Sequence, residues 1–164
     1  MDLEVADNQI SEGEFAPDFI MTDSDGKTIK LSDLRKNKKV VVYFYPKDFT
    51  PGCTTQAKEF TRDHIIFKNL GIEIIGISPD HHESHIKFRE TMKIPYTLVA
   101  DSEHKIAKRY GVYGLKRFMG KEYLGVNRST FVIDENGRII KIFSNVKPAG
   151  HSQEVMEVCK SNNG

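Results

Sequence analysis

The chain has 164 residues, 38% of them hydrophobic and 29% charged, with a formal net charge of +1. That length suits one domain that buries roughly two-thirds of its unfolded surface without a disulfide or metal staple. The near-zero charge argues against a nucleic-acid binder, and no apolar run approaches the ~20 residues a membrane span requires. The opening residues, MDLEVADNQISEGE, are acidic and polar, unlike a secretory or transit peptide, so a cytoplasmic setting is expected. Two cysteines, Cys53 and Cys159, are too few for a secreted disulfide framework. In a reducing compartment a thiol is either packing or chemistry.

Residues 1–14 carry few apolar side chains and are expected to form a loosely ordered arm ahead of a single domain over 15–164. Two short extended segments, 18–22 and 27–31, flank Asp23-Ser24-Asp25-Gly26, whose Asp-Gly signals a hairpin. Residues 32–34 read as one helical turn and 35–39 as a basic, solvated loop. The continuous apolar run 40–45 has the composition of a central strand buried on both faces. Residues 54–70 place Ala57, Phe60, Phe67 and Leu70 at helical spacing, and Gly71 ends the helix. A second buried strand, 72–77, completes a β-α-β unit, which implies parallel pairing and a right-handed crossover.

A polar helix from Ser78-Pro79-Asp80 to residue 93, a strand over 96–100 and a short helix over 103–110, capped by Asp101-Ser102, come next. Residues 111–127 hold four glycines and several aromatics and read as a long loop of the kind that carries function. Phe118, Met119 and Tyr123 in it are candidates for a pocket wall, a contact surface or ordinary packing. Strands over 130–133 and 138–143 surround Asp134-Glu135-Asn136-Gly137, and a last helix covers 152–160. This order predicts an α/β protein of thioredoxin-like layout: a mixed central sheet, helices on both faces and an N-terminal β-hairpin.

Chemistry concentrates between residues 40 and 62. Cys53 follows Pro51-Gly52 at the predicted start of a helix, just past the C-terminal end of a central parallel strand. Helix-start N–H groups and the positive end of the macrodipole favour a thiolate there, and ligands bind open α/β sheets at that end. A buried, inert cysteine is the competing reading. Cys53-Thr54-Thr55-Gln56 lacks the second thiol of a dithiol exchange motif. His64 points away from the helix start, so a cysteine hydrolase has no visible base.

Pro46-Lys47-Asp48-Phe49-Thr50-Pro51-Gly52-Cys53 resembles the peroxiredoxin active-site motif, with Pro, Thr and Cys at that family's spacing. The flanking YFYPKDFTPGCTTQAKEF is similar to the peroxiredoxin Q, or bacterioferritin comigratory protein, subfamily. Phe15-Ala16-Pro17-Asp18-Phe19, Gly76-Ile77-Ser78, Tyr110-Gly111-Val112, Phe118-Met119-Gly120 and residues 127–134 agree in order, so the resemblance spans about residues 12–160. It implies a thiol-dependent peroxidase without a prosthetic group, acting on hydrogen peroxide and organic hydroperoxides. Cys53 would be the peroxidatic thiol that becomes a sulfenic acid. Thr50 would hold sulfur and peroxide, or cap the helix, and Pro46 would shield the sulfur, or end the strand. Arg128 would stabilise the thiolate and the charge on the leaving oxygen, where the plain alternative is a surface ion pair.

The departure is at position 58. Many members of that subfamily carry a resolving cysteine five residues after the peroxidatic one; here it is Lys58. Cys159 is then the sole candidate resolving thiol, and the expectation is a one-cysteine cycle with an external thiol donor such as a thioredoxin-like protein. Asp80-His81-His82-Glu83-Ser84-His85 offers His81 and His85 at i, i+4 for a divalent metal, against a plain reading as a solvated first turn. No metal or cofactor is assigned. A peroxide sensor or holdase built on Cys53, and a histidine metal-binding module, are the alternatives. A monomer or weak dimer is expected, with neither nucleic acid nor membrane as partner.

Overall fold

The computed structural model describes residues 10–22, 26–34, 36 and 38–161. The N-terminal hairpin pairs β1 (Ile20–Thr22) with β2 (Thr28–Lys30) antiparallel, and α1 (Leu31–Leu34) follows. Its expected turn, 23–25, lies outside the described residues, as do 35 and 37 of the basic loop and 1–9 of the arm. Strand β3 (Lys39–Phe44) leads through a loop into α2 (Pro51–Asn69), β4 (Ile72–Ser78), α3 (His82–Met92) and β5 (Thr97–Ala100). Then come α4 (Lys105–Arg109), β6 (Tyr113–Phe118), β7 (Lys121–Val126), β8 (Ser129–Ile133), β9 (Ile139–Phe143) and α5 (His151–Ser161).

The main sheet has five strands in the order β5-β4-β3-β8-β9. β3, β4 and β5 run parallel, and β8 and β9 close the other side antiparallel. Every residue of β3 is buried because the strand is covered twice. Val40, Val42 and Phe44 face a core shared with the hairpin and α4, whereas Val41, Tyr43 and Tyr45 face α2, α3 and α5. A period of two with both faces apolar produces an unbroken hydrophobic run. This is the thioredoxin-like mixed sheet the element order implies.

Two expectations need correction. Residues 111–127 are not a loop: β6 and β7 form an antiparallel hairpin, turned by Met119 at φ 52 and Gly120 at φ 80. Two left-handed residues suit a tight hairpin turn. The glycines that suggested a loop, Gly114 and Gly125, stand opposite each other in the ladder. The described end of the arm is not loose either. The Gly13 N–H donates to the Ile139 carbonyl, the Ile139 N–H donates to Glu14, and the Ala16 N–H donates to Gly137. These bonds cover the outer edge of β9, which otherwise leaves its backbone groups unpaired.

Gly76 lies opposite Tyr43 in the β3–β4 ladder. A Cβ there would stand 2.9 Å from Leu98 Cδ2 and 3.0 Å from Tyr43 Cζ. The Tyr43 ring is stacked on Phe60 at 4.8 Å and its hydroxyl is 2.6 Å from that of Tyr96, so it has nowhere to retreat. Gly76→Ala is therefore expected to destabilise the fold by about 1–3 kcal/mol, read as a lowered urea midpoint with an unchanged slope.

Candidate active site

Helix α2 begins three residues earlier than the hydrophobic spacing suggests. Pro51 occupies its first position, where a residue without an N–H costs nothing. The first helical bond runs from the Thr54 N–H to the Thr50 carbonyl at 2.8 Å. Cys53 thus sits in the first turn, among amides that have no acceptor within the helix. Cys53 as a whole is 1% exposed.

Arg128 arrives from the other side of the sheet. The register places Ser129 opposite Phe44, so residue 128 lies next to the end of β3. The backbone carbonyl of Arg128 accepts from the Val146 N–H at 2.9 Å. Its Nη1 donates to Cys53 Sγ at 3.4 Å and to Gln56 Oε1 at 2.8 Å. The guanidinium lies flat against Gly52, where an added Cβ would be 3.0 Å from Nη2 and 3.2 Å from Pro148 Cγ. A single half-buried turn, with Cys53 its buried residue, therefore brings thiol, amides and cation together.

Thr50 is at the N-cap position but does not cap the helix with its side chain. Its Oγ1 donates instead to the Lys47 carbonyl at 2.8 Å. The hydroxyl hydrogen is thereby spoken for, and its lone pairs stay open to a donor. Pro46 is partly buried at the strand exit, and Phe49 follows with φ 68, its ring 5.0 Å from that of Phe88. Lys58 is exposed on α2.

Two further residues, Gln56 beside Arg128 and Lys116 within electrostatic reach of Cys53, were not picked out from the sequence. Gln56, three positions after Cys53, is 1% exposed. A guanidinium only donates, so Oε1 must face Arg128, and Nε2 is then left without a partner among the described residues. Leaving a buried donor unmatched costs about 1–3 kcal/mol. Lys116 donates from Nζ to the Val126 carbonyl at 2.8 Å and lies over the Tyr123 ring. Burial lowers its pKa, the Arg128 charge lowers it further, and Cys53 opposes them. Helical i, i+3 spacing was a usable signal for Gln56. Lys116 required knowing that its segment was a strand pair.

The other sequence candidates separate. Cys159 is buried on α5, and burial pushes its thiol up to about 11. The side chains of Met119 and Tyr123 are exposed on the hairpin, and that of Phe118 lies outside the described structure. His81 is the exposed residue preceding α3 and His82 is exposed as well. His85 is buried with both ring nitrogens engaged, one to Asp48 and one to the Val99 carbonyl. The His81–His85 pair consequently does not offer two free nitrogens on one face.

A thioredoxin-like sheet that sets one cysteine under an arginine defines a thiol-based redox protein. The AhpC/TSA family matches residues 13–142. Peroxiredoxin Bcp of Bacillus subtilis (strain 168) is 48% identical over 151 residues, covering 92% of this chain and 96% of the relative. Peroxiredoxin Bcp of Escherichia coli (strain K12) is 38% identical over 153 residues, 93% of this chain and 97% of that one. Among solved structures, Xanthomonas campestris peroxiredoxin Q superposes with a TM-score of 0.83 at 32% identity, covering 89% of this chain and 92% of that one. A Xylella fastidiosa PrxQ mutant gives 0.87 at 30% identity, with 94% and 98% covered. The chain belongs to the AhpC/TSA family, within its peroxiredoxin Q, or bacterioferritin comigratory protein, branch. It is a thiol-dependent peroxidase.

The choice of a neutral amide at position 56 is itself testable. Glutamate would accept the same Arg128 bond while cancelling the cation that faces the sulfur. In Gln56→Glu, alkylation of Cys53 by iodoacetamide at pH 6–7 is expected to slow about tenfold. A rate equal to that of the parent would show that the amide does not protect the charge.

Proposed function

We propose that Cys53 is the peroxidatic residue and that Pro46, Thr50 and Arg128 form its site. The observation that carries this reading is the Arg128 Nη1 to Cys53 Sγ contact of 3.4 Å in the first turn of α2. The thiolate attacks the terminal oxygen of ROOH, the S–O bond forms as O–O breaks, and the departing alkoxide takes a proton. Cys53 becomes a sulfenic acid and ROH leaves. The Arg128 cation and the α2 amides oppose the charge on sulfur first and on the leaving oxygen afterwards. Thr50 Oγ1, its hydrogen held by the Lys47 carbonyl, accepts the hydroperoxide O–H and aims it. Pro46 covers the strand exit against water.

Recycling runs through an outside thiol. Cys159 lies within reach of the Lys39 charge, at the start of β3, whereas Cys53 follows the end of that strand. Six strand residues rise about 3.3 Å each, so the two thiols are at opposite ends of the sheet. The course of α5 agrees: His151 bonds Thr130 at the Cys53 end, and Cys159 is eight residues, or about 12 Å, further along. A disulfide needs Cα atoms within about 7 Å. One external thiol therefore displaces water from the sulfenic acid to give a mixed disulfide, and a second releases Cys53. Organic hydroperoxides join hydrogen peroxide as substrates. A structure of the related Xanthomonas campestris bacterioferritin comigratory protein concerns its alkyl peroxide reduction activity. The need for reduced thiols supports a cytoplasmic setting.

Three results test this. Cys53→Ser should abolish peroxide consumption with dithiothreitol or a thioredoxin system, and Cys159→Ser should retain it. At pH 8 iodoacetamide should label Cys53 well ahead of Cys159, whose thiol burial raises to about 11. A Cys53–Cys159 crosslink as the main product of one equivalent of peroxide, seen by mass spectrometry, would overturn the one-cysteine cycle.

A further inference from the structure

The loop that carries Pro46 and Thr50 is fastened at Asp48, whose side chain is 1% exposed. Its Oδ1 accepts from the Tyr45 hydroxyl at 2.7 Å, and its Oδ2 accepts from Ser84 Oγ at 2.8 Å and faces His85 Nδ1 at 2.7 Å. The Asp48 N–H donates to Asp80 Oδ2 at 2.7 Å, which also accepts from Ser78 Oγ at 2.6 Å. His85, with its side chain 3% exposed, continues the chain: its Nε2 is 3.1 Å from the Val99 carbonyl oxygen.

The His85 ring therefore bridges the active-site loop and β5, with Asp48 against one nitrogen and the Val99 carbonyl against the other. The Tyr45 ring, from the end of β3, packs against it, and Asp80, from the turn before α3, holds the Asp48 amide.

We propose that His85 is a positioning residue of the peroxidatic site, its two ring nitrogens bridging the Asp48 loop to β5, so that breaking the bridge releases Pro46 and Thr50. The proposal rests on the assignment of Cys53, Thr50 and Pro46 above.

The test uses the full chain. His85→Leu alone strands a buried carboxylate and risks unfolding, so the Asp48→Ala/His85→Leu pair, which removes both partners, is compared with His85→Gln, which keeps a side-chain donor for Asp48. The pair should react with hydrogen peroxide about tenfold slower and show faster exchange of the residue 48 amide, and His85→Gln should fall between it and the parent. The parent's rate and amide exchange in both variants would overturn the proposal. Failure of the Cys53 assignment looks different: Cys53→Ser still consumes peroxide.

Discussion

The site depends on one contact across 75 positions of chain, the guanidinium of Arg128 against the sulfur of Cys53. A cysteine as buried as Cys53 is in surroundings that oppose a negative charge, so without a cation it would be inert packing. Neither residue reaches the other through local structure. Their meeting requires β8 to pair with β3 in the register that sets Ser129 opposite Phe44. A slip of one residue would turn Arg128 to the other face. The buried alternation of Val41, Val132, Val42 and Phe131 across that pair fixes the register.

Around that contact the neighbours are chosen by charge and size. Gly52 leaves room for the guanidinium, and Gln56 orients it without neutralising it. The flat face made by Gly114 and Gly125 lets Lys116 lie inward, with its Cδ 3.1 Å from where a Cβ at 125 would be. Burial and the Arg128 charge lower the pKa of Lys116, and Cys53 opposes them.

Much of this was legible in the chain itself. The doubly buried run of β3, the i, i+3 apolar face of α2 and the Asp-Gly and Asn-Gly turns carry strong local signals, and they located Cys53 at the sheet end. The β6–β7 hairpin was not legible, because paired glycines and exposed Leu115, Leu124 and Met119 blur the alternation that marks a strand. Lys116 was lost with it. The His85 cluster was visible as a motif, but its partner, Asp48, is 37 residues away and belongs to the loop, so burial rather than spacing decided its role. Thr50 looked like a cap because its position is a cap, and only the direction of its hydroxyl separates the two functions.

Under the cycle proposed above, the burial of Cys53 obstructs its recovery. A protein thiol is far larger than a hydroperoxide, and the sulfur it must attack is closed over by Arg128, Gly52 and the loop before α2. Lys58 gives no internal thiol on the helix, and under the proposed external-thiol cycle the loop or the first turn of α2 yields when the reductant enters. Phe49 holds a left-handed backbone at φ 68 with its ring half exposed, a conformation that costs a bulky residue about 1–2 kcal/mol. Against this strain stand the Phe49–Phe88 contact and the hydrogen bonds of Asp48. On that proposal the loop before α2 is where opening costs least, because the strain at Phe49 is relieved as the hydrogen bonds of Asp48 and His85 are broken.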